Sequence, residues 1–340
     1  MPDRFLTTPA KGLHKLLGGP SLIHIPGPGA PLFVSTLLHG NETTGIEALQ
    51  DLLSDYAHKP LPRGLLIFIG NTAAAAKGQR LLPGQPDFNR IWPDANGEAQ
   101  PGVPTEAAEL AELVMQKVLA HRPCAVLDLH NTSGRNPPHA CINVMRGDCI
   151  ELAGHFAQRV LYFTRPKGVM SMAFAPHCAA VTVESGAVNM PQHSQLTLRY
   201  LKYVLEHGAP VQEPLDSNDD SVQADVALFR SMARVELQDG VEAAIGPDSA
   251  DVQLVADIDG YNWREIPVGT LLAQCDSAPN LSLRDCFRVT SPEGEDLTGE
   301  YLALEERRIV TKRTLTPAML STNIDIIQQD CLCYFLERVC

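Results

Sequence analysis

Short, nearly continuous apolar runs recur along the first part of the chain, to about residue 206. Glycine, proline or polar residues bound each run, as is typical of strands that helices cover on both faces. These runs occupy residues 31–38, 65–69, 125–129 and 181–183. Each of them predicts a buried strand.

Amphipathic helical patterns lie between the apolar runs. In the first, which starts at Thr44, Ile46, Leu49 and Leu53 fall on one helical face, and the pair Thr44 and Glu47 fits a capping box. Similar patterns start at about residues 105 and 148, and a last one covers residues 192–206. Strands that alternate with helices predict an α/β domain whose central mixed, largely parallel sheet is flanked by helices.

The pattern changes beyond residue 206. Residues 207–222 are polar, acidic and proline-bearing, which favours a linker. Short alternating runs follow at residues 234–237, 252–258 and 308–311, with turn signals between them, and they indicate a smaller all-β domain. We therefore expect an α/β domain over residues 1–212 and a β-rich domain over residues 213–340.

Composition and charge narrow the class of protein. The 340 residues carry a formal net charge of −13, which disfavours binding to nucleic acid. The nine cysteines include no C-x-x-C pair, which favours a reduced compartment over a disulfide framework or a thiolate zinc site. No secretory signal and no membrane-length apolar run is visible, so we expect a cytoplasmic protein that does not associate with membranes.

Metal-ligating side chains stand where three of the predicted strands end. His39 and Glu42 follow the first run, His130 follows the third, and Glu184 follows the fourth. Loops at the carboxyl ends of strands in α/β sheets converge on ligand sites. Two imidazoles and two carboxylates are the ligand set of a zinc hydrolase together with a general base. Taken singly, the H-x-x-E match could arise by chance and His130 could be a structural histidine, so the interpretation depends on their joint placement.

Four short motifs, in this order, resemble those of the succinylglutamate desuccinylase/aspartoacylase family, which lies within the zinc-carboxypeptidase superfamily. They are LHGNET at 38–43, DFNR at 87–90, DLHNT at 128–132 and VESG at 183–186. The resemblance implies a zinc-carboxypeptidase-like catalytic domain followed by a β-domain that partly covers the site. It also implies that His39, Glu42 and His130 hold one Zn²⁺ per chain and that Glu184 is the general base.

The resemblance further implies how substrate is held. Asn89 and Arg90 would clamp a substrate carboxylate, which a guanidinium group recognises through two parallel hydrogen bonds. Arg80 would stabilise the oxyanion that forms when water attacks an amide, although it lies two residues further upstream than the corresponding family arginine.

Two further positions refine the expected site. Asp128 lies two residues before His130 on one strand, hence on the same face, where it can orient the imidazole. Phe174 stands where aspartoacylase-like members carry an arginine that contacts the substrate, and Arg165 or Lys167 could replace that arginine.

The resulting hypothesis is a zinc-dependent amidohydrolase that cleaves a small, anionic N-acyl amino acid. A carboxypeptidase-like metallopeptidase is the alternative enzyme, because its substrates also present a carboxylate beside the scissile amide. A zinc-containing binding protein without activity is a third interpretation. The sequence leaves open which acyl group is removed, and it is equally compatible with a monomer and a homo-oligomer.

Overall fold

The computed structural model describes residues 2–209, 226–275 and 282–339. Two compact units divide the chain. The first comprises Met1–Asn131 and Pro138–Ala227, and the second comprises Thr132–Pro137 and Leu228–Cys340. The expected boundary between residues 212 and 213 lies outside the described residues, as does most of the expected linker.

A mixed sheet forms the centre of the first unit. Its strands in chain order are β1 (Ser21–Ile25), β2 (Leu32–Thr36), β3 (Leu65–Ile69), β4 (Ala125–His130), β5 (His139–Ile142), β6 (Arg159–Tyr162) and β7 (Ala179–Glu184). Within this unit they lie in the order β1-β3-β2-β4-β7-β5-β6. Neighbours from β3 to β7 run parallel, whereas β1 pairs antiparallel with β3 and β5 pairs antiparallel with β7. The expected mixed, largely parallel sheet is therefore confirmed.

Helices connect these strands. They are α1 (Ala10–Leu17), α2 (Thr44–Asp55), α3 (Thr72–Lys77), α4 (Thr105–Ala120), α5 (Gly147–Gly154), α6 (Met170–Phe174) and α7 (Pro191–His207). The four helices predicted from periodicity correspond to α2, α4, α5 and α7. In the part of the chain that the structure describes, no helix combines the length and the apolar character that crossing a membrane requires.

Side chains alternate between the two faces of the sheet. One face of β2 and β4 presents Phe33 and Val126 to a buried cluster that also contains Val114 of α4 and Phe174 of α6. Since strand side chains alternate with a period of two, Asp128 and the other even-numbered residues of β4 project from this same face. The sheet therefore places its polar strand ends on the side that packs against α4 and α6.

The start of α2 differs from the sequence prediction. Its N-cap is Thr43, whose side chain makes no capping hydrogen bond, so the capping box expected from Thr44 and Glu47 is wrong. The amide N–H of Thr44 instead donates to Oδ1 of Asn131, 3.2 Å away at the end of β4. A partner distant in sequence thus satisfies this amide of the first turn, which local sequence could not reveal.

The second unit is rich in strands, with its own apolar core. Its elements are β8 (Ala227–Leu237), β9 (Ala243–Ile245), β10 (Val252–Leu254), β11 (Leu271–Cys275), α8 (Leu283–Cys286), β12 (Phe287–Thr290), α9 (Thr298–Tyr301), β13 (Leu302–Glu305), β14 (Arg308–Thr311), β15 (Thr316–Ala318), α10 (Ile324–Gln329) and β16 (Cys333–Arg338). Strands β12-β8-β16-β15 pair antiparallel, and β13-β14-β11-β10-β9 form a second sheet. The strand expected over residues 252–258 ends at Leu254, and the described residues of this smaller domain also include three short α-helices and a 3-10 helix at Ile258–Tyr261.

Candidate active site

Three buried side chains in the first unit form a cluster that could hold a metal ion. His39 and Glu42 lie in the turn after β2, and His130 is the last residue of β4. Each offers one ligand atom, and these atoms lie within 4.8 Å of one another. The sheet brings them together because β2 and β4 are parallel neighbours whose carboxyl ends share one edge.

The turn after β2 contains a glycine that lets it pack closely against the start of α3, at the edge of the sheet where the cluster lies. Gly40 packs so tightly on the start of α3 that a Cβ atom there would lie 2.2 Å from the backbone nitrogen of Ala75. Its own N–H donates to the carbonyl of Arg80 at 3.0 Å. Only glycine allows this approach, and the approach fixes the positions of His39 and Glu42 on either side of it.

The two imidazoles face the same carboxylate. Nδ1 of His39 lies 2.8 Å from Oε1 of Glu42, and Nδ1 of His130 lies 2.7 Å from its Oε2. The Nε2 atoms point away from this centre, that of His39 to Asp87 Oδ1 at 3.1 Å and that of His130 to Asp128 Oδ2 at 2.9 Å. A carboxylate at the outer ring nitrogen is the usual way to orient a metal-binding histidine. Two imidazole nitrogens and one carboxylate therefore fit a zinc ion, and a second carboxylate lies beside the outer nitrogen of each imidazole.

Charge at this cluster favours a cation. Burial opposes a charge on the imidazole of His130, but the carboxylates of Asp128 and Glu42 outweigh it and raise the pKa well above its usual value. The pKa of His39 is also raised, because Glu42 and Asp87 outweigh burial and the charge of Arg80. The negative potential of these carboxylates is the environment in which a divalent cation is bound.

Glu184 stands beside the cluster on β7. It is the direct register partner of His130 on β4, and the two side chains project from the same face of the sheet. The carboxyl group is buried, and its Oε2 has no hydrogen-bond partner within residues 2–209, 226–275 and 282–339. Burial, reinforced by the charges of Glu42 and Asp128, raises the pKa of Glu184 to about 7 despite the opposing imidazoles. A carboxyl group in this state can accept and release a proton near neutral pH.

The structure brings Asn89, predicted to bind substrate, and Arg80, predicted to stabilise the oxyanion, to the cluster. Asn89 is buried, with Nδ2 3.3 Å from Nε2 of His130, and its Oδ1 accepts a hydrogen bond from Met170 N at 3.0 Å. The guanidinium group of Arg80 lies beside the carboxylates of Glu42 and Asp87. Its Nη1 is 3.4 Å from Glu42 Oε1, and its Nη2 is 3.6 Å from Asp87 Oδ2. Both residues therefore line the centre that the strand ends define.

Arg90 takes a more peripheral place than Asn89. Its Nη1 donates to the backbone carbonyl of Asn89 at 2.8 Å, and the residue is half-buried. The close packing of Gly168 on the backbone of Arg90 fixes the main chain at this point.

The structure also explains one departure from the family pattern. Phe174 is fully buried, 5.2 Å from the ring of Phe33 and 6.1 Å from that of Trp92, so this position belongs to the apolar core. Arg165 and Lys167, the suggested replacements for the family arginine, are exposed side chains of the loop before α6.

Two contributions to the site were missed from the sequence. Asp87 orients His39. The only indication of this role in the sequence was that Asp87 is the first residue of the DFNR motif. Asn131 connects the end of β4 to the start of α2 and to the loop after β7: its side chain accepts from Thr44 N at 3.2 Å and donates to Thr44 Oγ1 at 2.9 Å and to the Gly186 carbonyl at 2.7 Å. Only the position of Asn131 directly after His130 pointed to it, since its partners are 87 and 55 residues away.

Comparisons with known proteins agree with this arrangement. Residues 28–206 match the succinylglutamate desuccinylase/aspartoacylase catalytic domain. A segment of 88 residues is 41% identical to a succinylglutamate desuccinylase of Pseudomonas fluorescens, and it covers 25% of each chain. The alignment thus spans only about a quarter of this curated relative.

Solved structures share the fold across most of the chain. A succinylglutamate desuccinylase from Chromobacterium violaceum superposes with a TM-score of 0.55 at 19% identity, covering 94% of this chain and 89% of the other. Murine aminoacylase 3 gives a TM-score of 0.57 at 12% identity, with 93% and 97% covered. The matched domain makes up more than half of the sequence, and the chain therefore belongs to the succinylglutamate desuccinylase/aspartoacylase family.

Proposed function

We propose that this protein is a zinc-dependent deacylase that hydrolyses the amide bond of a small N-acyl amino acid. The observation that carries the proposal is the placement of Glu184. This buried carboxyl group, one oxygen of which has no hydrogen-bond partner among the described residues, lies in register with His130 of the three-residue cluster that could hold a metal ion. A structural zinc site is normally closed by four protein ligands and needs no free carboxyl group beside it.

The proposed chemistry divides between the metal and the side chains of the first unit. When bound by His39, Glu42 and His130, zinc supplies Lewis-acid activation of water and of the substrate carbonyl. Glu184 takes the proton of the attacking water and returns it to the leaving amine, a role that suits a buried carboxyl group in register with His130. Arg80 offers its guanidinium group to the oxyanion that develops on the amide carbonyl.

The DFNR segment, residues 87–90, orients the substrate. Asn89 lies 3.3 Å from His130, and Arg90 lies next to it in the chain, so a carboxylate bound here would sit beside the scissile amide. A carboxylate clamp requires positive charge in a chain whose net charge is −13. Arg80, Arg90 and the bound cation would supply it locally, which suits a small anionic substrate rather than a nucleic acid.

A hydrolysis panel tests this function. Zinc-loaded protein is offered N-succinyl, N-acetyl and N-formyl amino acids alongside dipeptides, and release of free amino acid is measured. We expect turnover of at least one acyl-amino acid and a loss of about 10²–10⁴-fold in kcat for Glu184→Gln, because general acid–base catalysis contributes about that much. Glu106→Gln, at an exposed position of α4, is the matched control and keeps full activity.

The same panel separates the alternatives. Hydrolysis of dipeptides alone would establish a carboxypeptidase-like peptidase instead, since Asn89 and Arg90 would serve its substrates equally well. If the wild type and Glu184→Gln both retain zinc but neither hydrolyses any compound of the panel, the protein is a zinc-containing binding protein without activity. We place the activity in the cytoplasm, on the basis of cysteines that the structure leaves as free thiols.

A further inference from the structure

Two cysteine side chains meet in the second unit. Sγ of Cys275 lies 3.6 Å from Sγ of Cys286, which is the distance of a thiol–thiol contact. Cys275 is the last residue of β11, and Cys286 is the last residue of α8. Both belong to the buried core of this unit, so the contact is part of its packing.

The backbone holds both cysteines independently. The N–H of Cys275 donates to the carbonyl of Arg307 at 2.8 Å, and the carbonyl of Cys286 accepts from the N–H of Gln238 at 3.0 Å. A capping box that begins at Ser282 fixes the short helix that carries Cys286. The two sulfur atoms are therefore presented to each other by separate, hydrogen-bonded elements.

This arrangement is close to what a disulfide requires. An S–S bond is about 2.05 Å long, so the sulfur atoms must approach by about 1.5 Å, a distance that side-chain rotation and a small shift of the end of β11 can provide. The two thiols are not equivalent: Cys275 keeps 8% of its surface exposed, whereas Cys286 is fully buried. Reagents in solution therefore reach Cys275 first.

Hydrogen bonding supports the same order of reactivity. At this distance either thiol can donate to the other sulfur. With the Cys286 thiol as donor, the hydrogen bond lowers the pKa of Cys275, although burial opposes the change. The pKa of Cys286 is raised by this hydrogen bond and by burial. Cys275 is thus the better thiolate and Cys286 the group that reacts second.

We propose that Cys275 and Cys286 are a reversible oxidation site that exchanges with low-molecular-weight disulfides such as glutathione disulfide. The thiolate of Cys275 attacks one sulfur of the small disulfide and releases one thiolate, which leaves a mixed disulfide on Cys275. Cys286 gives its proton to the released thiolate, and its own thiolate then attacks Cys275 Sγ and expels the second small thiolate, which takes up the proton that Cys275 lost when it became a thiolate. The protein loses two electrons and two protons, and one small disulfide becomes two thiols.

The bond would close the chain segment from residue 275 to residue 286. Cross-linking a segment of this length restricts the unfolded chain, so oxidation raises the melting temperature of the second unit and reduction reverses the rise. The site does not depend on the proposed hydrolase activity, because all the residues that form it lie in the second unit.

The full-length wild-type protein provides the first test. It is equilibrated with graded ratios of glutathione disulfide to glutathione, free thiols are alkylated, and the protein is digested and analysed by mass spectrometry. We expect a peptide pair cross-linked through Cys275 and Cys286, with a mass loss of about 2 Da that dithiothreitol reverses. Absence of this pair at every ratio, or oxidation that joins Cys275 to another cysteine, would overturn the proposal.

Single substitutions test the order of reaction. Cys286→Ser lacks the second thiol, so the glutathione adduct on Cys275 accumulates. Cys275→Ser removes the more exposed of the two thiols, so Cys286 stays reduced. Cys149→Ser, a buried thiol of the first unit, is the matched control and leaves the cross-link unchanged. An adduct on Cys286 rather than Cys275 would contradict the assigned order, and the wild-type digest decides the proposal even if one variant fails to fold.

Discussion

Asn131 is the residue whose replacement most sharply tests how the strand ends are held together. Its buried side chain bonds to the first turn of α2 and to the loop after β7, and its backbone N–H donates to Glu42 Oε2 at 3.1 Å. Asn131→Ala removes the side-chain bonds and leaves the backbone bond in place. We expect the turn that carries His39 and Glu42 and the loop that follows Glu184 to loosen together.

The expected loss of stability follows from the bonds removed. Three side-chain hydrogen bonds at about 1 kcal/mol each amount to about 3 kcal/mol, provided that the Thr44 N–H and the Gly186 carbonyl regain partial solvation. For a unit of roughly 220 residues this loss lowers Tm by about 6–12 °C. Zinc affinity falls about 10-fold or more, as is typical when support behind the ligands is removed.

Urea denaturation and zinc titration measure both effects. The chain has two tryptophans, so in a Trp263→Phe background the fluorescence of buried Trp92 reports the first unit. Asn143→Ala is the matched control, because this buried asparagine also makes side-chain hydrogen bonds in the first unit but contacts none of the proposed ligands. A stability loss below 1 kcal/mol for Asn131→Ala, or equal effects of both variants on zinc affinity, would refute the reasoning.

Three further predictions follow from individual side chains. Asp128→Asn weakens zinc binding by about 10–100-fold, measured by competition with a chelator, because the carboxylate that orients His130 is lost. Gly168→Ala destabilises the first unit by more than Gly84→Ala does: both glycines have φ near +75°, but only at Gly168 would a Cβ lie 2.2 Å from a backbone oxygen. Glu184→Gln changes the pH dependence of stability in the metal-free protein. Because burial raises the folded-state pKa of Glu184 from 4.5 to about 7, its contribution is present at low pH and lost as pH rises through 7. The wild type should therefore lose up to about 3 kcal/mol relative to the variant between pH 5 and pH 8, and parallel stability curves would contradict this.

Buried strands were the best predicted part of the fold. Strands β2, β3, β4 and β7 are buried at every residue and mostly apolar, which gives a nearly continuous apolar run in the sequence. Strand β1 is only partly buried and β6 begins with an exposed residue, so neither produced such a run. Strand β5 was missed as well, although it is fully buried between β7 and β6, because its four residues are too few for a clear run. Sequence reasoning therefore recovered β3, β2, β4 and β7 and missed the strands on either side of them.

Local sequence also failed where the chain reverses direction. The run over residues 31–38 suggested eight strand residues, but β2 ends at Thr36 and Leu37 adopts a φ of 54°. This turn starts the loop that presents His39. The carbonyl of Leu37 accepts a hydrogen bond at 2.6 Å from the N–H of Asn71, the N-cap of α3, and this partner lies 34 residues away in the sequence.

The candidate site was easier to predict than the contacts around it. His39, Glu42, His130 and Glu184 mark strand ends, and period-two alternation already placed Asp128 on the face of His130. The role of Asp87 could not be derived in this way, because it reaches His39 from a loop 48 residues away. Motifs identify side chains whose chemistry is distinctive, whereas their supporting partners are set by tertiary packing.

The central claim is that His39, Glu42 and His130 hold one zinc ion. Its most direct test is the zinc content of the purified full-length protein, determined by mass spectrometry of the metal after zinc loading and removal of free ions. The account predicts about one zinc per chain. It also predicts loss of that zinc in His39→Ala and His130→Ala, and full retention in His177→Ala, where the histidine is exposed. Zinc that stays bound in the first two variants, or a wild type that binds none, would contradict it.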